Sequence, residues 1–324
     1  MPANQISQMP VALFTSVMGL AGLTLCWMRA SQEAHWIAPE VVLVLQVIST
    51  IVFVALFVGF ILKTILFTER VKLEVKNPDA LSFFSTIPIG MVLIATLWAP
   101  TLPLISHILW MLGAAGMLIV TLAIFNSWLS HSHYNVTHLC PPWFIPVVGN
   151  VLIPFAGVHF GYVQMSWFFF SIGLIFWIMM MAMMLNRLFF LEPLPTRLRP
   201  TLYILIAPPA LIFIAYLALN DRQVDTFARI LYNTALFVTM LLAINTPQFL
   251  RVPFSLAGWA YSFPLAALTV ASFEMALYTQ SSVYFGISWF LLWVVTAIVG
   301  FLFFKTIAAL LARTLYTLES ATER

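Results

Sequence analysis

Residues 258–274 read Gly-Trp-Ala-Tyr-Ser-Phe-Pro-Leu-Ala-Ala-Leu-Thr-Val-Ala-Ser-Phe-Glu, and how this stretch is read decides the fold. It lies in an apolar segment long enough to cross a bilayer, which takes about 20 residues at ~1.5 Å rise each. Pro264 interrupts the segment at mid-depth, directly after Phe263. Proline removes a helix hydrogen bond and clashes with the preceding turn. Lipid tolerates it only where protein or a water-filled cavity satisfies the freed carbonyl. Phe263 is therefore either a core ring filling the kink or a ring aimed into a cavity.

The chain around this stretch is 62% hydrophobic and only 8% charged over 324 residues. Soluble domains carry roughly 25% charged residues, so this composition is that of an all-α integral membrane protein. The formal charge of +3 is too small to imply a nucleic-acid partner. Cys26 falls inside the first apolar run and Cys140 at a loop edge, and both read as small apolar residues. The N-terminal stretch lacks a basic n-region and a cleavage signature, so the first span is expected to be retained. No polar stretch is long enough for a further soluble domain, which makes 1–324 a single transmembrane domain.

Apolar runs of spanning length fall near 10–28, 37–66, 81–99, 102–128, 142–161, 164–189, 200–219, 226–248, 254–278 and 286–312. Ten spans put both termini on one side. That side also collects Lys63, Arg70, Lys72, Lys76, Arg187, Arg197, Arg199, Arg251, Lys305, Arg313 and Arg324, against Arg29, Arg222 and Arg229 opposite. The basic excess makes both termini cytoplasmic. Trp98, Trp143 and Trp167 sit near span ends, as in an aromatic belt.

Deep prolines separate the spans into two classes. Span 3 has Pro88, span 5 Pro146 and Pro154, span 7 Pro208 and Pro209, span 9 Pro264, and span 1 has Gly19 and Gly22. Even-numbered spans carry prolines only near their ends and are plain and bulky. Kinked helices need protein or water beside them, whereas straight apolar ones can face lipid. The pattern predicts five helix pairs, with odd helices as an inner ring and even helices as an outer wall. Chance scatter of prolines, which are common in membrane helices, is the competing reading.

Catalytic groups are nearly absent from the spans. No carboxylate pair shares a helix face, and no Glu-x-x-His, CxxC or phosphate-cradling glycine loop occurs, so neither an enzyme nor an ATP-driven pump is expected. His131, His133 and His138 share one short loop without acidic or cysteine partners and read as solvated, so no metal or other cofactor is expected. A pore lined by these spans holds few acids and a basic mouth, which suits small inorganic anions better than cations. Glu274 is the discordant group. It lies eleven residues after Phe263, on nearly the same helix face. It is either an ion-tuning or proton-coupling group of an outer vestibule, or a carboxylate paired with Arg229 or reaching interfacial water. Asp225 is a candidate N-cap for span 8 and faces Arg229 at i,i+4.

Several segments carry a family likeness. They are Ser82-Phe83 with Ile87-Pro88, Pro142 to Pro146 leading into Val147-Val148-Gly149-Asn150, and Leu191-Glu192-Pro193. Further on come Ala207-Pro208, Val224-Asp225-Thr226 with Ala228-Arg229-Ile230-Leu231, and Trp259-Ala260-Tyr261-Ser262-Phe263. The chain resembles the tellurite-resistance/dicarboxylate transporter family, which includes bacterial TehA-type proteins and the slow anion channels of plant guard cells. The resemblance implies ten helices as five hairpins around a central pore, a homotrimer with one pore per subunit, and anion conduction in a bacterial inner membrane. It gives Phe263 the family's gate position and places Phe14, Thr15 and Leu211 near the ring. Pro264 looks more like the plant branch of the family.

Two functions compete on these grounds. One is a gated passive channel for small monovalent anions such as chloride or nitrate. The other is a proton-coupled exporter of dicarboxylate, sulfite or tellurite. Exporters normally show polar or charged groups at the midplane, where this chain has Pro, Gly, Phe, Leu and Thr, and that favours the channel.

Overall fold

A computed structural model of the chain describes residues 6–34, 37–130, 135–249 and 255–312, and among them the only regular structure is helical. The principal α-helices are α1 (Phe14–Glu33), α2 (Pro39–Leu66), α3 (Thr68–Lys76), α4 (Thr86–Trp98), α5 (Pro103–Ser130), α6 (Val163–Phe190), α7 (Ala207–Leu219), α8 (Thr226–Phe249), α9 (Ser262–Thr279) and α10 (Ser282–Leu311). Eight helical stretches are long and apolar enough to cross a membrane. Two more apolar stretches, Ser82–Trp98 and Pro141–Gly157, are shorter.

Burial divides these stretches sharply. The apolar windows of Val11–Glu33, Leu198–Leu219 and Leu256–Thr279 are 72–78% buried, against 17–33% for α2, α5, α6, α8 and α10. The exposed set presents Ile51, Leu104, Ile119, Phe189, Ile244 and Phe304 outward, a surface only lipid or another apolar partner would cover. The buried set touches in chain order: α1 packs on α4, α4 on 149–157, that segment on α7, α7 on α9, and α9 back on α1.

The prolines do not act as expected. Pro264 does not break an α-helix midway; it is the third residue of α9, which follows a 3₁₀ stretch, Leu256–Tyr261. The same change of helix type recurs at Ser82–Ser85 before α4, at Thr196–Ile206 before α7 and at Val11–Leu13 before α1. Segment 141–157 alternates twice, with 3₁₀ turns before Ile145–Val148 and before Ile153–Gly157. Pro88, Pro146, Pro154 and Pro208 all sit in the first turn of an α portion, where a missing N–H costs little. Hydroxyls at three of these junctions, and Thr201 inside the 3₁₀ stretch before α7, bond back three residues. Thr15 Oγ1 donates to Ala12 O at 2.6 Å, Thr86 to Phe83 O at 2.6 Å, Thr201 to Leu198 O at 2.6 Å and Ser262 to Trp259 O at 2.7 Å.

In segment 141–157 that duty falls to Asn150, which is fully buried. Its Nδ2 donates to the carbonyls of Pro146 at 2.8 Å and Val147 at 3.1 Å and to Thr121 Oγ1 at 3.1 Å. Asn150→Leu removes the amide donor from the Pro146 and Val147 carbonyls in an apolar interior, where the Pro146 carbonyl keeps the Thr121 hydroxyl. Thermal unfolding in detergent should show a loss of about 2–3 kcal/mol; an unchanged midpoint would mean the junction does not depend on the amide.

Trp143 departs from the belt expectation: it is buried and stacks on Trp128 with ring centroids 4.8 Å apart. His131 and His133 lie outside the described residues. His138 serves its own turn, where its Nδ1 accepts from the Asn135 N–H at 3.4 Å.

Candidate functional site

The 3₁₀ halves and the first α turns enclose a cavity of about 950 Å³. Every member of the buried set contributes to its wall: Thr15 and Met18 from α1, Ile89 from α4, Ile145 and Val148 from 141–157, Pro208 and Leu211 from α7, and Phe263 and Pro264 from α9. All of these residues fall within the first five positions of an α portion, so the change of helix type sets the level at which this part of the wall is built. At that level the wall is almost wholly apolar. Charged lining groups, Arg70 and Glu74, come from α3, which with Ser7 and Gln8 lies at the end near the N-terminus.

Phe263 is 6% exposed and lies against Gly22 of α1, where a Cβ would come within 3.1 Å of the ring. A side chain at residue 22 would have to push the ring or part the two helices, so the ring's seat depends on glycine there. Thr15 and Leu211 line the same cavity. Phe14 does not. Its ring turns outward onto α2, edge-on to Phe53 at 6.4 Å and Phe60 at 6.1 Å. Pro88 and Pro146 also face the outer set. A Cβ on Gly113 of α5 would meet the Pro88 carbonyl at 3.2 Å, and Thr121 of α5 donates to the Pro146 carbonyl at 3.2 Å. Pro208 and Pro264, by contrast, line the cavity themselves.

The acidic and basic groups pair differently from the sequence expectation. Glu274 bonds Arg29, not Arg229: Arg29 Nη2 donates to Glu274 Oε2 at 2.7 Å. The reason is that α9 lies along α1, whereas Arg229 is on the exposed face of α8 beside Thr226, Asn233 and Phe237. Asp225 does cap α8, accepting from the Ala228 N–H at 2.9 Å, and its other oxygen accepts from the Tyr216 hydroxyl. These two bonds hold its carboxyl below the usual carboxylate range. Among the described residues it makes no ion pair with Arg229.

Lys63 falls inside the 37–66 apolar run, and nothing in the sequence marks its role there. Its ammonium is fully buried, donating to the Met9 carbonyl at 2.7 Å and to the Glu74 carboxylate. One cation thereby ties α2, α3 and the N-terminal segment together at the mouth of the cavity. Arg29 was likewise missed as a partner. The available signal was its position seven residues after Gly22, on the face that continues Thr15 and Met18.

Comparison with known proteins extends these observations. The family model described as voltage-dependent anion channel (SLAC1) matches residues 8–307. The tellurite resistance protein TehA homolog of Haemophilus influenzae is 29% identical over 304 residues, 92% of this chain and 90% of that protein. The S-type anion channel SLAH2 of Arabidopsis thaliana is 28% identical over 273 residues, 82% of this chain and 52% of the relative. The guard cell S-type anion channel SLAC1 of the same plant is 26% identical over 277 residues, 82% of this chain and 50% of the relative. The chain thus spans about half the length of these plant relatives.

Proposed function

The chain belongs to the voltage-dependent anion channel family, and from that premise we propose that it is a passive channel for small monovalent anions, occluded by Phe263. The observation that carries this reading is the cavity of about 950 Å³ whose apolar wall is drawn from all five buried segments and includes the Phe263 ring. A narrow apolar constriction keeps out water and a hydrated ion, and wetting it is what opening requires. At the level of the ring the cavity lining holds no carboxylate that could bind a cation or relay a proton. Its one acid, Glu74, is at the mouth and is neutralised by Lys63.

Ten crossings fit the same reading. A 3₁₀ turn rises ~2.0 Å per residue, so the doubly alternating Pro141–Gly157 reaches about 30 Å, the thickness of a hydrocarbon core. Ser82–Trp98 comes within a few ångströms of that length. Each outer helix packs behind the inner segment that precedes it, which makes five hairpins around one pathway. The basic excess supports a cytoplasmic side for the cavity mouth and both termini, and the family likeness suits a bacterial inner membrane. The exposed apolar flanks of the outer helices suit lipid and, by family likeness, the contacts of a homotrimer.

Vesicles reconstituted with the Phe263→Ala protein, loaded with potassium chloride and given a potassium ionophore to carry the balancing charge, should lose chloride down its gradient with no pH difference imposed. Loss that appears only with a pH gradient would favour the proton-coupled exporter. The mouth provides a second check. Arg70 lines the cavity, and Lys72 pairs with exposed Glu69 at 2.8 Å. Neutralising Arg70, Lys72 and Lys76 should lower anion supply more at low salt than at high salt, because charges remote from the constriction act through a field with a Debye length of ~8 Å at physiological salt. An equal loss at both ionic strengths would point to a discrete binding site.

A further inference from the structure

We propose that the Arg29 guanidinium, positioned by Glu274, is an anion-contact site on the opposite side of Phe263 from the cavity, taking a small monovalent anion as it passes. The inference rests on the channel reading above and adds to it a residue that sets selectivity.

The two helices that hold the ring run parallel and in register. A Cβ on Gly19 would meet Ser262, one on Gly22 would meet Phe263 and Ala266, and the Cys26 thiol donates to the Ala266 carbonyl at 3.3 Å. The next contact along this seam is Arg29 to Glu274. On α1 the residues that line the cavity or touch the ring are Thr15, Met18 and Gly22, and Arg29 continues that face two turns, about 10 Å, further on. On α9 Glu274 stands about three turns past Phe263, again on nearly the same face. Both members of the pair thus extend the line that the cavity and the ring define.

The guanidinium is incompletely used. Its Nη1 donates to Gln32 and its Nη2 to Glu274, while its Nε is buried and, among the described residues, has no partner. Arginine stays charged at any accessible pH and has only donors, so a buried guanidinium N–H left over is an atom an anion would satisfy. The carboxylate does the opposite work: it fixes the guanidinium and offsets its charge. Further out, Glu33 stands one turn beyond Arg29 on α1. Arg222 donates to the Tyr278 hydroxyl at 3.4 Å and feels the Glu274 charge. The outlying charges are of opposite sign, which leaves Arg29 and Glu274 as the pair that biases passage past the ring.

The test records anion-to-cation permeability ratios from reversal potentials in asymmetric sodium chloride, in the Phe263→Ala background so that occlusion does not mask the effect. Arg29→Gln should lower the ratio about threefold or more, as expected for losing a charged hydrogen bond in a partly wet site. Glu274→Gln should raise it, because the guanidinium is then no longer offset. Arg29→Lys keeps the charge and the pair but loses the Nε donor, and should fall between Phe263→Ala alone and Arg29→Gln. A pair that only bolts α1 to α9 predicts the same sign for Arg29→Gln and Glu274→Gln, since both break it; that result, or unchanged ratios in folded protein, overturns the inference. If Arg29→Gln does not fold, Arg29→Lys and Glu274→Gln decide the matter, and Glu274→Gln leaving the ratio unchanged or lower overturns it. Those outcomes leave the channel reading standing. A silent Phe263→Ala protein would overturn the reading and the inference together.

Discussion

Phe263→Ala raises the resting anion current well above that of the unaltered protein, with Phe263→Leu in between. The ring is 6% exposed, lines the apolar cavity and is seated on Gly22. Removing it at a constriction widens the path and lets water in, so the barrier to an anion falls. If the ring were only core, truncation would leave a void and cost about 3–5 kcal/mol with no gain in current. The two accounts differ in sign. Current per folded channel at equal gradients separates them, and an unchanged or reduced current in a well-folded Ala variant would remove Phe263 from the pathway's control.

The second large effect is on stability and comes from the mouth. Glu74→Ala leaves the Lys63 ammonium fully buried with the Met9 carbonyl as its remaining partner. An uncompensated buried charge of this kind costs about 3–5 kcal/mol. The double variant Lys63→Met/Glu74→Leu removes both charges and should recover most of that loss, since apolar groups of similar volume replace a buried pair at little cost. Thermal unfolding of the two variants in one detergent measures the difference. Equal stability of Glu74→Ala and the unaltered chain would mean that the ammonium finds water at the mouth.

Much of the architecture was legible because lipid leaves few options. Apolar runs of spanning length, charge largely kept to loops and deep prolines confined to alternate runs pointed to the buried and exposed helix sets that the structure shows. The change from 3₁₀ to α was not legible from periodicity, because both helix types bring residues three apart to one side. The trace it leaves is local: Thr86-Ile-Pro88 and Ser262-Phe-Pro264 each put a back-bonding hydroxyl two residues before a proline in the first α turn. Thr15 lines the cavity while its neighbour Phe14 turns onto α2, since one residue along a helix turns a side chain by about 100°. Glu274 was readable as a residue on the face of Phe263, but its partner was not. Arg29 is 245 positions away, and only the parallel seam between α1 and α9 brings the two together.

The central claim is passive, uncoupled anion conduction through the apolar constriction, and electrical recording of the purified protein in a lipid bilayer tests it most directly. The account predicts a current that reverses at the anion equilibrium potential and does not move when a pH gradient is added. Transport without current, or a reversal potential that follows the proton gradient, would contradict it.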